Sequence, residues 1–158
     1  MAEPDDPYDL NRFVEAQERG SLVAQESCYE RALSEIRDGE KVSHWMWYIF
    51  PQIEGLGSSP TSRRYSIKSL AEAEAYLDHS VLGSRLVECA EATLAVEGRS
   101  AWAIFDSPDD WKLRSSATLF ALVSPPGSVF HRLLEKYFEG EPDRRTLDLL
   151  GLAPASWG

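Results

Sequence analysis

Apolar residues recur three and four positions apart along most of this chain, the period of one helix face. Leu10, Phe13 and Val14, with Gln17 a turn beyond, predict a first helix that Asp9 is placed to cap and Gly20 interrupts. Tyr29, Ala32, Leu33 and Ile36 form a second stripe. Gly39 follows it, where glycine accepts the left-handed backbone of a helix C-terminus. Ser69-Leu70-Ala71-Glu72 reads as a capping box opening a helix with Leu70, Ala73 and Leu77 inward. Leu82, Leu86, Cys89, Ala90 and Thr93 make the next stripe, and Ser100 is placed to cap a short helix holding Ile104 and Phe105. Ser107-Pro108-Asp109-Asp110 supplies a cap, a proline in the first turn and acids near the positive end of the helix dipole. That helix runs to about Val123, where Ser124-Pro125-Pro126-Gly127 breaks it. Phe130, Leu133, Leu134 and Tyr137 form a further stripe, and Asp143 is placed to cap a last helix through Leu147 and Leu150.

Two segments fall outside this rhythm. In Ser43-His44-Trp45-Met46-Trp47-Tyr48-Ile49-Phe50-Pro51-Gln52, Ser43 is positioned to cap a short aromatic helix that Pro51 closes. Residues 53–67, with Gly55, Gly57, Ser58, Ser59, Pro60, Thr61 and Ser62, read as a long loop, and loops of that length often carry function. Tyr48 to Ile53 has the look of a short strand, but no partner strand is visible and nothing alternates with period two. The expectation is an all-α, irregular domain of about eight helices over residues 9–158, preceded by a flexible arm over 1–8.

A chain of 158 residues with 43% hydrophobic content can bury its own core. The formal charge of −10 argues against a general nucleic-acid binder, which neutralises phosphates with Lys and Arg. No basic region followed by an apolar run marks a signal peptide, and nothing approaches the ~18 apolar residues of a membrane span. A cytoplasmic protein is expected. Cys28 and Cys89 both lie on apolar stripes, which predicts reduced, buried thiols.

Motifs of known chemistry are missing. There is no Walker loop, no Gly-x-Gly-x-x-Gly, no Gly-x-Ser-x-Gly and no Cys-x-x-Cys, and His44, His79 and His131 are too scattered for a metal site. No metal and no cofactor is expected. The aromatic segment is a better candidate. One short helix cannot point all of its rings into a core, so some must face a neighbouring helix and some a cleft; a core anchor between helices is the simpler reading, a ring-lined pocket with Gln52 at its mouth the functional one. The expected ligand wall is His44, Trp45, Trp47, Phe50 and Gln52. A second group, Asp109, Lys112, Ser115 and Ser116, shares a polar strip at spacings of three and four. Lys112 with Ser115 or Ser116 has the spacing of a Ser–Lys dyad in reversed order, but an ion pair of Lys112 with Asp109 beside small packing residues reads more simply. Arg63 and Arg64 read as solvated, with phosphate binding as the alternative.

The aromatic segment, Gly55-Leu56-Gly57, Asp109, Lys112, Ser115-Ser116-Ala117-Thr118-Leu119-Phe120, Phe13-Val14-Glu15-Ala16-Gln17 and Glu72-Ala73-Glu74-Ala75-Tyr76-Leu77 together resemble the domain of unknown function 1810 family, over roughly residues 9–150. The resemblance implies a compact helical fold and no settled activity. The chain departs from that family's pattern at Trp111, where a smaller apolar residue is usual, and at Ala117, where Met is usual.

Two functions compete, beside a third reading of a structural domain with no site, which requires every one of these rings buried and every polar group satisfied internally. In the first, the aromatic segment and the strip from Asp109 to Ser116 line one cleft for a nucleotide or nucleotide-sugar ligand, with Asp109 and Lys112 as catalytic candidates if the chemistry is hydrolytic. In the second, residues 44–52 dock a protein partner as part of a helical adaptor, which requires an exposed apolar patch. The oligomeric state is not readable from the sequence.

Overall fold

The computed structural model describes residues 6–20 and 26–152. Ten α-helices lie among them: α1 (Asn11–Glu18), α2 (Cys28–Arg37), α3 (Met46–Ile49), α4 (Pro60–Arg64), α5 (Leu70–Asp78), α6 (Leu82–Ala95), α7 (Ala101–Phe105), α8 (Asp109–Ala121), α9 (Val129–Phe138) and α10 (Arg144–Leu149). The all-α class is the observed one. Two isolated bridges, Gly20 with Ser27 and Ile53 with Ile67, are the only β pairing among the described residues. The extended look of the segment up to Ile53 therefore finds a partner after all, one residue long. The helix count exceeds the expected one of about eight, and the short helix α4 is the one the sequence did not predict. α4 sits inside the stretch expected to be a loop, where the Ser59 hydroxyl accepts from Ser62 N–H and Pro60 takes the first helical position.

The caps explain where the longer helices begin. Ser69, Ser100, Ser128 and Asp143 each accept from the N–H three residues on. At Ser69 the box is only half formed, because Glu72 turns to Arg12 and to the Lys68 N–H instead. A complete box opens α2 at Ser27 and Glu30. Among the expected caps, two are corrected at the longer helices α1 and α8. Asp9 does not cap α1; the Asp6 carboxylate accepts from the N–H groups of Leu10 and Asn11, at 2.7 and 3.0 Å. Ser107 does not cap α8, whose start is reached through Pro108 without a side-chain cap. Of the arm expected over 1–8, residues 1–5 lie outside the described residues, as do residues 153–158 of the expected domain.

α8 is the central helix. Its run from Leu113 and Ser115 through Ala121 is buried, with α9, α7, α5 and α10 packed around it. α6 fills the other side of the core with Leu82, Leu86, Cys89, Ala90 and Thr93 inward, the predicted stripe. The core also encloses one ion pair. Arg12, buried on α1, donates to Glu72 Oε2 at 2.9 Å and to the carbonyls of Tyr8, Asp9, Arg64 and Ser66. Five acceptors for one guanidinium are what allow the charge to stay buried. It ties α1 to α5 and to the 64–66 turn. No helix among the described residues is long and apolar enough to cross a membrane.

Candidate functional site

The site grows out of the turn between α2 and α3. Gly39, in the left-handed region at φ +76°, ends α2. The Lys41 N–H donates to the Ile104 carbonyl at 2.7 Å and pins the chain to α7. Glu35 on α2 then organises the next residues. Its Oε1 accepts from Val42 N–H, Ser43 N–H and the Trp45 indole N–H, and its Oε2 from the Ser43 hydroxyl. Ser43 thus serves Glu35 and does not cap α3, whose first residues carry no side-chain cap. Burial works against the charge on Glu35, but the Ser43 hydroxyl, the Ser43 and Val42 N–H groups and the Trp45 indole outweigh it, holding the carboxyl below its ordinary range.

With the turn fixed, the rings sort themselves. Trp45 and Phe50 are buried and meet Phe105 edge-on at 6.3 and 6.2 Å. They are core residues and do not wall a cleft, a correction to their expected role. The reason is that α3 has one turn: Met46, Ile49 and their neighbours Trp45 and Phe50 use the inward side, leaving His44 exposed and Trp47 and Tyr48 half-buried.

Asp109 and Lys112 meet this turn from the start of α8. Lys41 reaches across, its ammonium 2.7 Å from Asp109 Oδ2 and 2.6 Å from the Ser43 carbonyl, above the Trp45 ring at 4.9 Å. Its side chain is 6% exposed, so this is a fully engaged, internal charge. Lys112 is different. It is 22% exposed, stands 3.4 Å from Asp109 Oδ1, and lies over the Trp47 ring at 4.6 Å. A cleft of about 320 Å³ opens here, with Lys41, His44, Trp47, Asp106, Asp109 and Lys112 in its wall.

A second cleft, of about 410 Å³, lies on the far side of Lys112 and Pro108, which belong to both walls. Gln52 and Ser115 are found there, with Leu56, Trp111, Asp143 and Arg145. Ser115 donates to Asp143 Oδ2 and to the Trp111 carbonyl, both at 3.1 Å. Ser116 is in neither cleft. It is buried, and its hydroxyl is a fully buried side-chain polar atom with no partner among the described residues. Since successive helical residues diverge by about 100°, Ser115 and Ser116 cannot both face the cleft. The polar strip therefore divides: Asp109 and Lys112 join the aromatic turn, Ser115 joins α10, and Ser116 faces the core.

Sequence reasoning missed Lys41, Glu35 and Arg145. Glu35 and Lys41 carried no motif, and their partners come from distant elements. Asp143 was visible as a cap, but not as part of a cleft. Arg63 and Arg64 are exposed, and Arg64 turns to the Tyr65 hydroxyl at 3.4 Å, as does Arg19 at 3.3 Å. No cluster of three or more His, Cys, Asp or Glu suited to a metal ion occurs among the described residues.

The profile of a family described as "Protein of unknown function (DUF1810)" matches residues 7–150. The crystal structure of the conserved hypothetical protein Rv1873 from Mycobacterium tuberculosis is similar at 49% identity with a TM-score of 0.84, covering 94% of this chain and 100% of that one. No curated protein matches the chain.

Proposed function

The chain belongs to the DUF1810 family of proteins of unknown function, and we propose from the site itself that it binds a small ligand combining a planar ring with an anionic group, of nucleotide type, in the cleft between the 41–47 turn and the start of α8. The observation that carries this reading is the position of Lys112. Its ammonium has one long ion pair at 3.4 Å, rests on the half-buried face of Trp47, and stands in the wall of two adjoining clefts. A cation–π contact near the surface is worth about 0.5–1 kcal/mol. A ligand ring can therefore replace the ammonium on Trp47, and the flexible lysine stem then turns its charge to the ligand's phosphate. The cleft volume of about 320 Å³ lies at the lower end of ordinary small-molecule sites.

Asp109 fits the role of positioning the two lysines better than that of general acid or base, since each of its oxygens already faces an ammonium group. Binding is proposed, and a hydrolytic step is not. The adaptor reading gains no support, because the apolar residues it needs exposed, Trp45, Met46, Ile49 and Phe50, are buried. The test is calorimetric titration and thermal shift with nucleoside mono- and diphosphates, reading Trp47 by fluorescence. Binding raises the melting temperature as ligand is added in excess. Saturable binding that Lys112→Ala and Trp47→Ala each weaken supports the reading. Binding insensitive to both variants, or none at all, sinks it.

A further inference from the structure

The second cleft contains an acceptor that the fold does not use up. Asp143 is 9% exposed and belongs to the wall. All of its recorded side-chain hydrogen bonds fall on Oδ2, from Ser115 Oγ at 3.1 Å, Thr146 N–H at 3.1 Å and Thr146 Oγ1 at 2.5 Å. Its own N–H is held by Thr118 Oγ1 at 2.8 Å, so the residue is fixed from both sides. Oδ1 accepts none of the hydrogen bonds among the described residues. It is also not sealed from solvent, since among the described residues only Ser116 Oγ is both sealed and without a partner. One carboxylate oxygen of a rigid, nine-tenths buried aspartate is thus left accessible, and the cleft is the space its residue borders.

The other walls match a hydroxylated ring. Trp111 is 55% exposed and carries the Arg114 guanidinium 5.3 Å from its ring centroid. Arg114 is itself anchored by donating to the Glu141 carbonyl at 3.0 Å. An indole braced in this way at a cleft edge offers the flat apolar surface on which the C–H face of a sugar packs, while the accessible carboxylate oxygen of Asp143 accepts from a sugar hydroxyl. The Arg145 side chain makes no hydrogen bond or ion pair with the described residues and borders the same space. Lys112 connects this cleft to the first.

We infer that the cleft bordered by Gln52, Trp111, Asp143 and Arg145 is a sugar subsite, so that the ligand is a nucleotide sugar whose diphosphate lies at Lys112 and whose glycosyl group lies between Trp111 and Asp143. This rests on the reading of Lys112 as the ligand-facing cation, and extends it to the ligand's other half.

The experiment compares ADP with ADP-glucose and UDP with UDP-glucose by titration calorimetry, using the full chain and the variants Lys112→Ala, Trp111→Ala and Asp143→Asn. In at least one pair the glucose-bearing form should bind about tenfold more tightly, as expected for one added stacking face and one charged hydrogen bond. Trp111→Ala and Asp143→Asn should each return it toward the diphosphate value, leaving diphosphate binding unchanged, whereas Lys112→Ala weakens both forms. Asp143 also caps α10, so its variant is checked by melting. Trp111→Ala alters an exposed side chain and keeps the test decisive if Asp143→Asn does not fold. Diphosphate binding lost in Lys112→Ala, with no gain from the sugar, overturns the sugar subsite and spares the first cleft. A sugar gain that survives both Trp111→Ala and Asp143→Asn also overturns it, since the sugar then lies elsewhere. No binding of any of the four compounds overturns both readings.

Discussion

The indole N–H of Trp45 donates to Glu35 Oε1 at 2.8 Å, and the same oxygen receives the N–H groups of Val42 and Ser43. One carboxylate therefore sets the course of the chain from α2 into the aromatic turn, and with it the position of Lys41, His44 and Trp47. Replacing it by Glu35→Ala leaves a buried indole donor unpaired, which costs about 1–3 kcal/mol. Chemical denaturation should record that loss, together with weaker ligand binding from a displaced turn.

The same contact predicts a pH dependence. The Glu35 carboxyl is lowered in the folded protein, because its four donors outweigh the burial that opposes its charge. A lowered carboxyl contributes stability that is present above its unfolded value and is lost as pH falls through its folded one. The stability gap between wild type and Glu35→Gln should hold at neutral pH and shrink below the ordinary glutamate range. A gap that widens on acidification contradicts this assignment.

Lys41 and Lys112 share Asp109 but should differ in what truncation costs. Lys112→Ala removes a part-exposed pair at 3.4 Å, worth less than ~1 kcal/mol, and should change the melting temperature little while weakening ligand binding. Lys41→Ala removes an internal ammonium bonded to Asp109 and the Ser43 carbonyl, and should destabilise by more, about 1.5–3 kcal/mol, with Asp109 keeping Lys112 as its remaining partner. Equal stability losses in the two variants would contradict this division of roles.

Ser116→Ala should be neutral or stabilising, because the hydroxyl is buried without a partner and its removal deletes an unmet demand. Ligand binding should be untouched. A loss of binding would return Ser116 to the site.

Gly83 lies where α6 starts beneath the end of α5. A Cβ at this position would collide with the Leu77 carbonyl, which is backbone and cannot swing away. Gly83→Ala should therefore cost at least about 1–3 kcal/mol, as overpacking does, measured by thermal unfolding.

Both thiols should be slow to react in the folded protein. Burial, against some help from nearby arginines, pushes Cys28 up to about 11, and burial with the neighbouring Glu88 charge pushes Cys89 up to about 12. Little thiolate is then available near neutrality. Cys28, half-buried, should be labelled before the fully buried Cys89. Groups raised on folding stabilise below their unfolded values and lose that contribution as pH climbs through the folded ones. Stability should therefore decline from about pH 9 upward. Rapid labelling of both cysteines at neutral pH would contradict their burial.

What the sequence by itself determined is what local periodicity and local hydrogen bonding control. The α6 stripe, the Gly39 terminus, the serines at 69 and 100, and Asp143 are legible because a helix face and its cap are decided within a few residues. The reading failed where a competing partner came from elsewhere. Ser43 leaves α3 for Glu35, and Glu72 leaves its capping box for Arg12, since a charge drawn out of water demands hydrogen-bond partners more strongly than a helix end demands a cap. A four-residue helix has no face to read, so the sorting of Trp45 and Phe50 inward and Trp47 outward waited on Phe105 and Lys112. Only the tertiary structure brought Lys41 to Asp109 and placed Trp111, Asp143 and Arg145 around one cleft. These contacts join elements far apart in the chain, and no pattern along it encodes which side chains will meet.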